Sequence, residues 1–171
     1  MSTQPLKSKF LSLIVALALA SGCADPVKPS PDIASIREQV AVLDRGRYVV
    51  EIMGCNDCHT PDYLVKRSNV AEEEWLVGNT LGFIGSNGTA YPTNLRLLID
   101  TVTEEEWLVR AKQMRKDTPM ADVMLPNTLD QDLRAIYRFI KYLGPKGVPA
   151  PARLPKGVMP TTQFIVSPAP H

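Results

Sequence analysis

The chain has 171 residues, 44% of them hydrophobic, with 19 Lys and Arg against 18 Asp and Glu. This length predicts one domain with extensions. Because the charges nearly balance, we exclude the basic footprint of a nucleic-acid-binding protein and expect no nucleic-acid partner. Most of the 15 prolines lie near the two ends. We therefore predict a folded central region between extended flanks.

The first 22 residues have the features of a bacterial export signal. Two lysines precede an uncharged apolar run, Phe10–Ala20, which is too short for a comfortable membrane span. Three small residues, 20–22, then lead into Cys23 as in a lipobox. We predict a lipoprotein signal peptide over residues 1–22, a lipid on Cys23 and a location on the periplasmic side of a bacterial membrane. The alternative is cleavage after Ala20, which leaves a free cysteine on a soluble periplasmic protein.

A polar, proline-rich tether is predicted for residues 23–36, and a helical pattern begins near Asp32. Its apolar residues recur at spacings of three and four, at Ile33, Ile36, Val40 and Leu43. Gly46 interrupts this pattern. It indicates either a break between two short helices or a close crossing with another helix. Gly54 is predicted to end the helix.

The next part of the chain, residues 61–99, has the weakest pattern: one or two helical turns are predicted around Trp75, and the Gly- and Asn-rich residues 78–95 are predicted to be loop. A second helix begins at Thr103, which forms a capping box with Glu106. The spacing of its apolar residues predicts a buried stripe made by Trp107, Ala111 and Met114.

The last helix has the clearest pattern. Thr128 is predicted to be its N-cap, and Gln131, three residues later, is placed to complete a capping box. Gly144 is predicted to end the helix. Its apolar face consists of Leu133, Ile136, Tyr137, Ile140 and Leu143. The remaining segment, residues 146–171, is predicted to be an extended proline-rich tail that either wraps the domain or awaits a partner.

Residues 55–59 read Cys-Asn-Asp-Cys-His, the attachment signature of c-type haem. Cys55 and Cys58 would form thioether bonds to the haem, and His59 would ligate its iron. A dithiol redox centre would require a thioredoxin-like strand and helix, which the pattern lacks. A zinc site would require further ligands, and the chain has only one other histidine, His171, and one other cysteine, Cys23.

A second axial ligand decides whether such a haem carries electrons or binds small molecules. Methionine is the natural choice, because the other histidine is the terminal residue. Four of the six methionines are removed with the signal or fit other roles: Met1, Met53, Met114 and Met159. Met120 and Met124 remain, both in an irregular segment between the last two helices.

The central region resembles a mono-haem class I c-type cytochrome of the larger, lipoprotein-anchored bacterial periplasmic branch. The similar segments are, in order, RGRYVVEIMGCNDCHTP, YPTNL, TEEEW, TPM and DLRAIYRFIKYLGP, within residues 37–146. The resemblance implies an all-α domain over residues 37–145, whose first and last helices cross around one covalent haem c. It also favours the interpretation that another helix crosses closely at Gly46, with Gly46 facing Tyr137, Phe139 and Tyr142.

The resemblance also implies that Met120 is the distal ligand. In that branch the methionine lies between two prolines, but here Ala121 replaces the second, so Met124 stays an alternative. We expect a membrane-tethered electron carrier rather than an enzyme. Its redox partner would be a dehydrogenase or a respiratory-chain component. Two alternatives remain: an electron-transfer subunit of an exported dehydrogenase complex, and a haem-based gas sensor with an open iron site.

Overall fold

The computed structural model describes residues 32–114 and 125–166, apart from the side chain of Ser68. Its helices are α1 Ile33–Ile52, α2 Cys55–His59, α3 Tyr63–Lys66, α4 Leu95–Thr101, α5 Glu104–Lys112 and α6 Asp130–Leu143. Its strands are β1 Gly82–Gly85, β2 Gly88–Ala90 and β3 Phe164–Val166. Short 3₁₀ turns lie at Arg67–Asn69, Glu72–Glu74 and Leu125–Asn127. The described part of the chain is thus mostly helical with a small sheet.

Helices α1 and α6 cross in close contact at Gly46. A Cβ atom added to Gly46 would lie 2.7 Å from Phe139 Cβ and 2.7 Å from the carbonyl carbon of Ala135. Helix α1 continues through this glycine without a break. The close-crossing interpretation is therefore confirmed, and the interpretation as two short helices is wrong. Beside the crossing, Arg45 donates two hydrogen bonds to the Asp132 carboxylate, at 2.8 and 3.0 Å.

Two details of the predicted crossing are corrected. Of the three predicted aromatic residues, Phe139 is the one among the nearest neighbours of Gly46, whereas Tyr137 donates its hydroxyl to the Val102 carbonyl and Tyr142 is 66% exposed. The apolar residues in the first half of α1 are also less buried than their spacing predicts. Ile33, for example, is 69% exposed, whereas Val49 and Val50 beyond the crossing are buried.

The capping box of α5 is confirmed: the Glu106 amide donates to the Thr103 hydroxyl, and the Glu106 carboxylate accepts from the Thr103 amide. The predicted cap of α6 is wrong by one residue. Leu129 stands at the N-cap position, and the hydroxyl of Thr128 lies 3.9 Å from the sulfur of Met53 instead. The predicted end of α6 at Gly144 is confirmed.

The prediction of an all-α fold is corrected by the three-stranded sheet, whose order is β2-β1-β3. Strands β1 and β2 form an antiparallel hairpin, and β3 from the C-terminal tail pairs parallel with β1. The hairpin lies in the stretch predicted to be loop, residues 78–95, and helix α4 begins at the end of that stretch. Strands of three and four residues carry too little alternation to be read from the sequence, and β1 pairs with a segment that is distant in the chain.

The core is formed by the apolar side chains of α1, α4, α5 and α6 together with Trp75 and Leu76. A buried arginine, Arg96 in α4, ties this core to the end of α6. It donates to the carbonyl oxygens of Leu143, Gly144 and, at 2.7 Å, Glu73. The carbonyls of Leu143 and Gly144 lie at the end of α6 and have no partner within that helix, so the guanidinium serves as its C-terminal cap.

Over residues 32–114 and 125–166, no helix combines the length and the apolar composition that crossing a membrane requires.

Candidate cofactor site

The cysteine-histidine motif lies on its own short helix at the end of α1. Met53 caps α1, Gly54 follows in a left-handed conformation, and α2 begins at once with Cys55. Cys55 and Cys58 are three residues apart, which places them on the same side of the helix. Both cysteines and His59 line one cavity.

This cavity has a volume of about 540 Å³, within the usual range for cofactor pockets. Its walls come from every main element of the core. Phe83 of β1, Leu98 of α4, Trp107 of α5 and Ile136 and Ile140 of α6 supply apolar surface. The sequence folds these distant segments around α2, so the motif faces a large and mostly apolar cavity.

The orientation of His59 is set by a backbone carbonyl. His59 is buried, and its Nδ1 lies 2.7 Å from the carbonyl oxygen of Thr93. Because a carbonyl oxygen only accepts hydrogen bonds, Nδ1 carries the proton and donates it. Burial lowers the pKa of His59, which favours the neutral ring. The second nitrogen, Nε2, therefore keeps its lone pair.

Nε2 of His59 is the feature of the cavity that a cofactor would explain. It is buried and makes no hydrogen bond to any residue that the structure describes. A buried polar atom without a partner is costly unless a ligand satisfies it. A lone pair in this position is what a metal ion in the cavity would use.

The two cysteines are partly buried thiols. Both are free, and burial raises the pKa of Cys55 to about 12 and also raises the pKa of Cys58. A dithiol redox centre works through a thiolate, which requires a lowered pKa. The environment of Cys55 therefore argues against that alternative.

The residues present fit a haem held by thioether bonds. An apolar cavity, two thiols on one side and one free imidazole nitrogen are the features that such a group requires. A zinc site fits less well, since residues 32–114 and 125–166 contain no group of three or more His, Cys, Asp or Glu side chains arranged to hold a metal ion.

The remaining predicted site residues, Met120, Met124 and Cys23, all lie outside the described residues. Met114, which the sequence placed in the buried stripe of α5, packs against the core and also lines the cavity. Met159 is 62% exposed, and Met53 packs against the core, in keeping with the role expected for it.

A network of buried polar groups holds α2 against the neighbouring segment. The Thr60 hydroxyl donates to Asn56 Oδ1 at 2.7 Å and accepts from the Leu76 amide at 2.8 Å. The Gly78 amide donates to the His59 carbonyl at 2.8 Å. These contacts fix the C-terminal end of the motif through Leu76 and Gly78, which closely follow Trp75 in the chain.

Sequence reasoning missed the role of Thr93. Its contribution is a backbone carbonyl, which every residue has, so its side chain gives no signal of that role. The segment YPTNL that contains it was singled out only by its resemblance to a family segment. Three consecutive residues of that segment, Tyr91, Pro92 and Thr93, line the cavity.

Comparison with known proteins gives one similarity. No protein-family model matches the chain, and no solved structure matches it. The gluconate 2-dehydrogenase cytochrome c subunit of Pantoea cypripedii is 27% identical over 133 residues, which cover 68% of this chain and 30% of that protein. The chain thus aligns with less than a third of its relative, and the similarity indicates a c-type cytochrome.

Proposed function

We propose that this protein is a class I c-type cytochrome that carries single electrons through one covalently bound haem c. The observation that carries the proposal is the state of His59. Its Nδ1 is held by the Thr93 carbonyl, while its buried Nε2 has no partner among the described residues of the cavity it lines. The similarity to a cytochrome c subunit supports the same class.

Each motif residue has a distinct role in this proposal. Cys55 and Cys58 would hold the haem through thioether bonds, and His59 Nε2 would ligate its iron. The haem, when bound, would supply a reversible one-electron change of its iron. The apolar side chains of the cavity, including Trp107 and Ile140, would favour the less charged ferrous state. Met120 is the proposed distal ligand, with Met124 as the alternative.

The proposed partner is a dehydrogenase that passes electrons to the haem. The name of the relative describes a cytochrome subunit of such an enzyme, which supports an electron-transfer subunit in a complex over an independent carrier. The chain itself then performs no bond chemistry. We further propose that residues 1–22 are a lipoprotein signal and that Cys23 carries the lipid on the periplasmic side. In the same proposal, residues 23–36 form the tether, residues 37–145 form the haem domain and residues 146–171 form the tail.

Two cysteine variants test the proposal. The chain is exported in a bacterium that attaches haem c, and haem that survives denaturing electrophoresis is measured. Cys55→Ala and Cys58→Ala should each carry less of this haem than the wild type, because only one thioether bond can form, and the double variant should carry none. Asp57→Asn is the matched control, since it changes the motif but keeps both cysteines and His59. A wild-type protein that contains stoichiometric zinc and no haem would overturn the proposal.

A further inference from the structure

Residues 144–166, which we call the C-terminal strap, lie across the hairpin rather than away from the domain. The Thr89 amide donates to the Leu154 carbonyl at 2.9 Å, and the Leu154 amide donates back at 3.0 Å. Further along, the Gly82 amide donates to the Gln163 carbonyl at 2.8 Å, and β3 pairs with β1. The strap is therefore built into the sheet.

The strap also contacts the segment that holds His59. The bridge is Asn94, which is 2% exposed and directly follows Thr93. Asn94 Nδ2 donates to two strap carbonyls, Lys146 at 2.8 Å and Val148 at 3.1 Å. Its Oδ1 accepts from the Leu97 amide at 3.1 Å and so caps α4. Both donors and the acceptor of this buried amide are thus satisfied.

The space between Asn94 and the strap is tight. Gly147 lies between the two strap residues that accept from Asn94, and its backbone has a φ of +81°. A Cβ atom there would lie 3.2 Å from Asn94 Nδ2 and 3.4 Å from Val77 Cβ. A side chain at this position would push the strap away from Asn94, so the contact depends on glycine at 147.

We infer that Asn94 is a positioning residue, through which the C-terminal strap holds the Thr93 carbonyl against His59 Nδ1. This inference rests on the proposed function, because His59 matters only as an iron ligand. Hydrogen bonding at Nδ1 makes a ligating imidazole a stronger electron donor. A strong donor stabilises ferric iron, so the strap holds the reduction potential of the haem lower than it would otherwise be.

The test compares holoproteins that carry covalent haem. Asn94→Ser keeps a side-chain oxygen to cap α4 but loses both donors to the strap. Gly147→Ala leaves Asn94 intact and disturbs the strap alone. In both variants we expect a higher reduction potential than in the wild type. We also expect faster solvent exchange of the His59 Nδ1 proton, followed by NMR in the ferrous state.

Two controls separate this role from a loss of stability. Asp32→Ala removes the N-cap of α1, at which the Asp32 side chain accepts from the Ser35 amide, and no residue of 32–49 lines the cavity, so it destabilises the protein without shifting the potential. Gly157→Ala repeats the change at a strap glycine of similar φ, +87°, where a Cβ atom would meet nothing within 4 Å.

The outcomes are distinguishable. If Asn94→Ser and Gly147→Ala lower the stability but leave the potential and the proton exchange as in the wild type, Asn94 is only structural and the inference is wrong. If either control shifts the potential as much as the test variants do, the effect is not transmitted through Asn94 and the inference is likewise wrong. A wild-type protein without covalent haem would instead contradict the proposed function, and therefore this inference as well.

Discussion

A Cβ atom on Gly46 of α1 would lie 2.7 Å from the carbonyl carbon of Ala135 in α6. Two effects oppose each other in Gly46→Ala. Alanine would favour the helix by about 1 kcal/mol, whereas overpacking at a close contact costs about 1–3 kcal/mol. Because the nearest atoms belong to backbone, which cannot rotate away, we expect the clash to win and the free energy of unfolding to fall.

Chemical denaturation followed by circular dichroism measures this change. Gly85→Ala is the control, since a Cβ atom at Gly85 would meet nothing within 4 Å. If Gly46→Ala proves more stable than the wild type, the helices do not cross at this residue.

The ion pair of Arg45 and Asp132 predicts a dependence of stability on pH. Its hydrogen bonds from Arg45 hold the pKa of Asp132 below its usual value. The pair therefore contributes fully above about pH 4, where the unfolded carboxyl is ionised, and its contribution is lost as the pH falls through the lower folded pKa. At pH 7, Asp132→Asn should lower the free energy of unfolding, because the charge-assisted contact between the buried carboxylate and the half-exposed Arg45 is weakened.

Urea denaturation at pH 7 and in strong acid tests this sign. The difference between Asp132→Asn and the wild type should shrink in acid. Asp100→Asn serves as the control, because the Asp100–Lys141 pair is about half exposed on both sides and such pairs are worth at most about 1 kcal/mol. An unchanged difference at low pH would contradict this assignment.

Removal of the buried Arg96 guanidinium is expected to lower the free energy of unfolding strongly. Arg96→Met keeps the apolar stem but removes the donors to three carbonyl oxygens, two of them at the end of α6. We expect a loss of about 1–3 kcal/mol, since a buried cationic donor that makes hydrogen bonds to three carbonyl oxygens is removed. Arg153→Met, which removes one long contact of 3.3 Å at the surface, should change stability little. Equal effects of the two variants would contradict the capping role of Arg96.

The proposed distal ligand is tested by Met120→Ala. A thioether ligand raises the potential of haem iron, so its loss should lower the potential and open the iron to carbon monoxide. The weak near-infrared band of ferric iron–thioether ligation should disappear as well. Met159→Ala is the control, because Met159 is 62% exposed.

The same experiment decides between the remaining alternatives. If Met124→Ala has these effects and Met120→Ala does not, the ligand is Met124 and electron transfer remains the function. If the wild type already binds carbon monoxide readily and lacks the band, the iron site is open and the gas-sensor alternative replaces the carrier.

The features that could be predicted from the sequence are those with a local signal. The capping box at Thr103, the apolar face of α6 and the end of that helix at Gly144 each lie within a few residues of chain. The crossing at Gly46 could only be stated as one of two interpretations. A glycine in a helix is equally compatible with a break, and the partner, Ala135, is distant in sequence.

Features that depend on distant contacts were missed. Strand β1 pairs with β3 about 80 residues later, with Phe83 opposite Ile165, and neither segment alternates long enough to indicate a strand. In the site, the motif could be read from residue types. The Thr93 carbonyl could not, because it acts through backbone and reaches His59 only after folding.

The mass of the mature wild-type chain tests the central claim most directly. The protein is exported in a bacterium that attaches haem c, denatured, freed of noncovalent ligands and measured by mass spectrometry. We predict that the chain is heavier than its amino-acid sequence and any lipid account for by one haem. The added mass should lie on the peptide that contains Cys55 and Cys58. A chain whose mass includes no haem, with both cysteines unmodified on that peptide, would contradict the account.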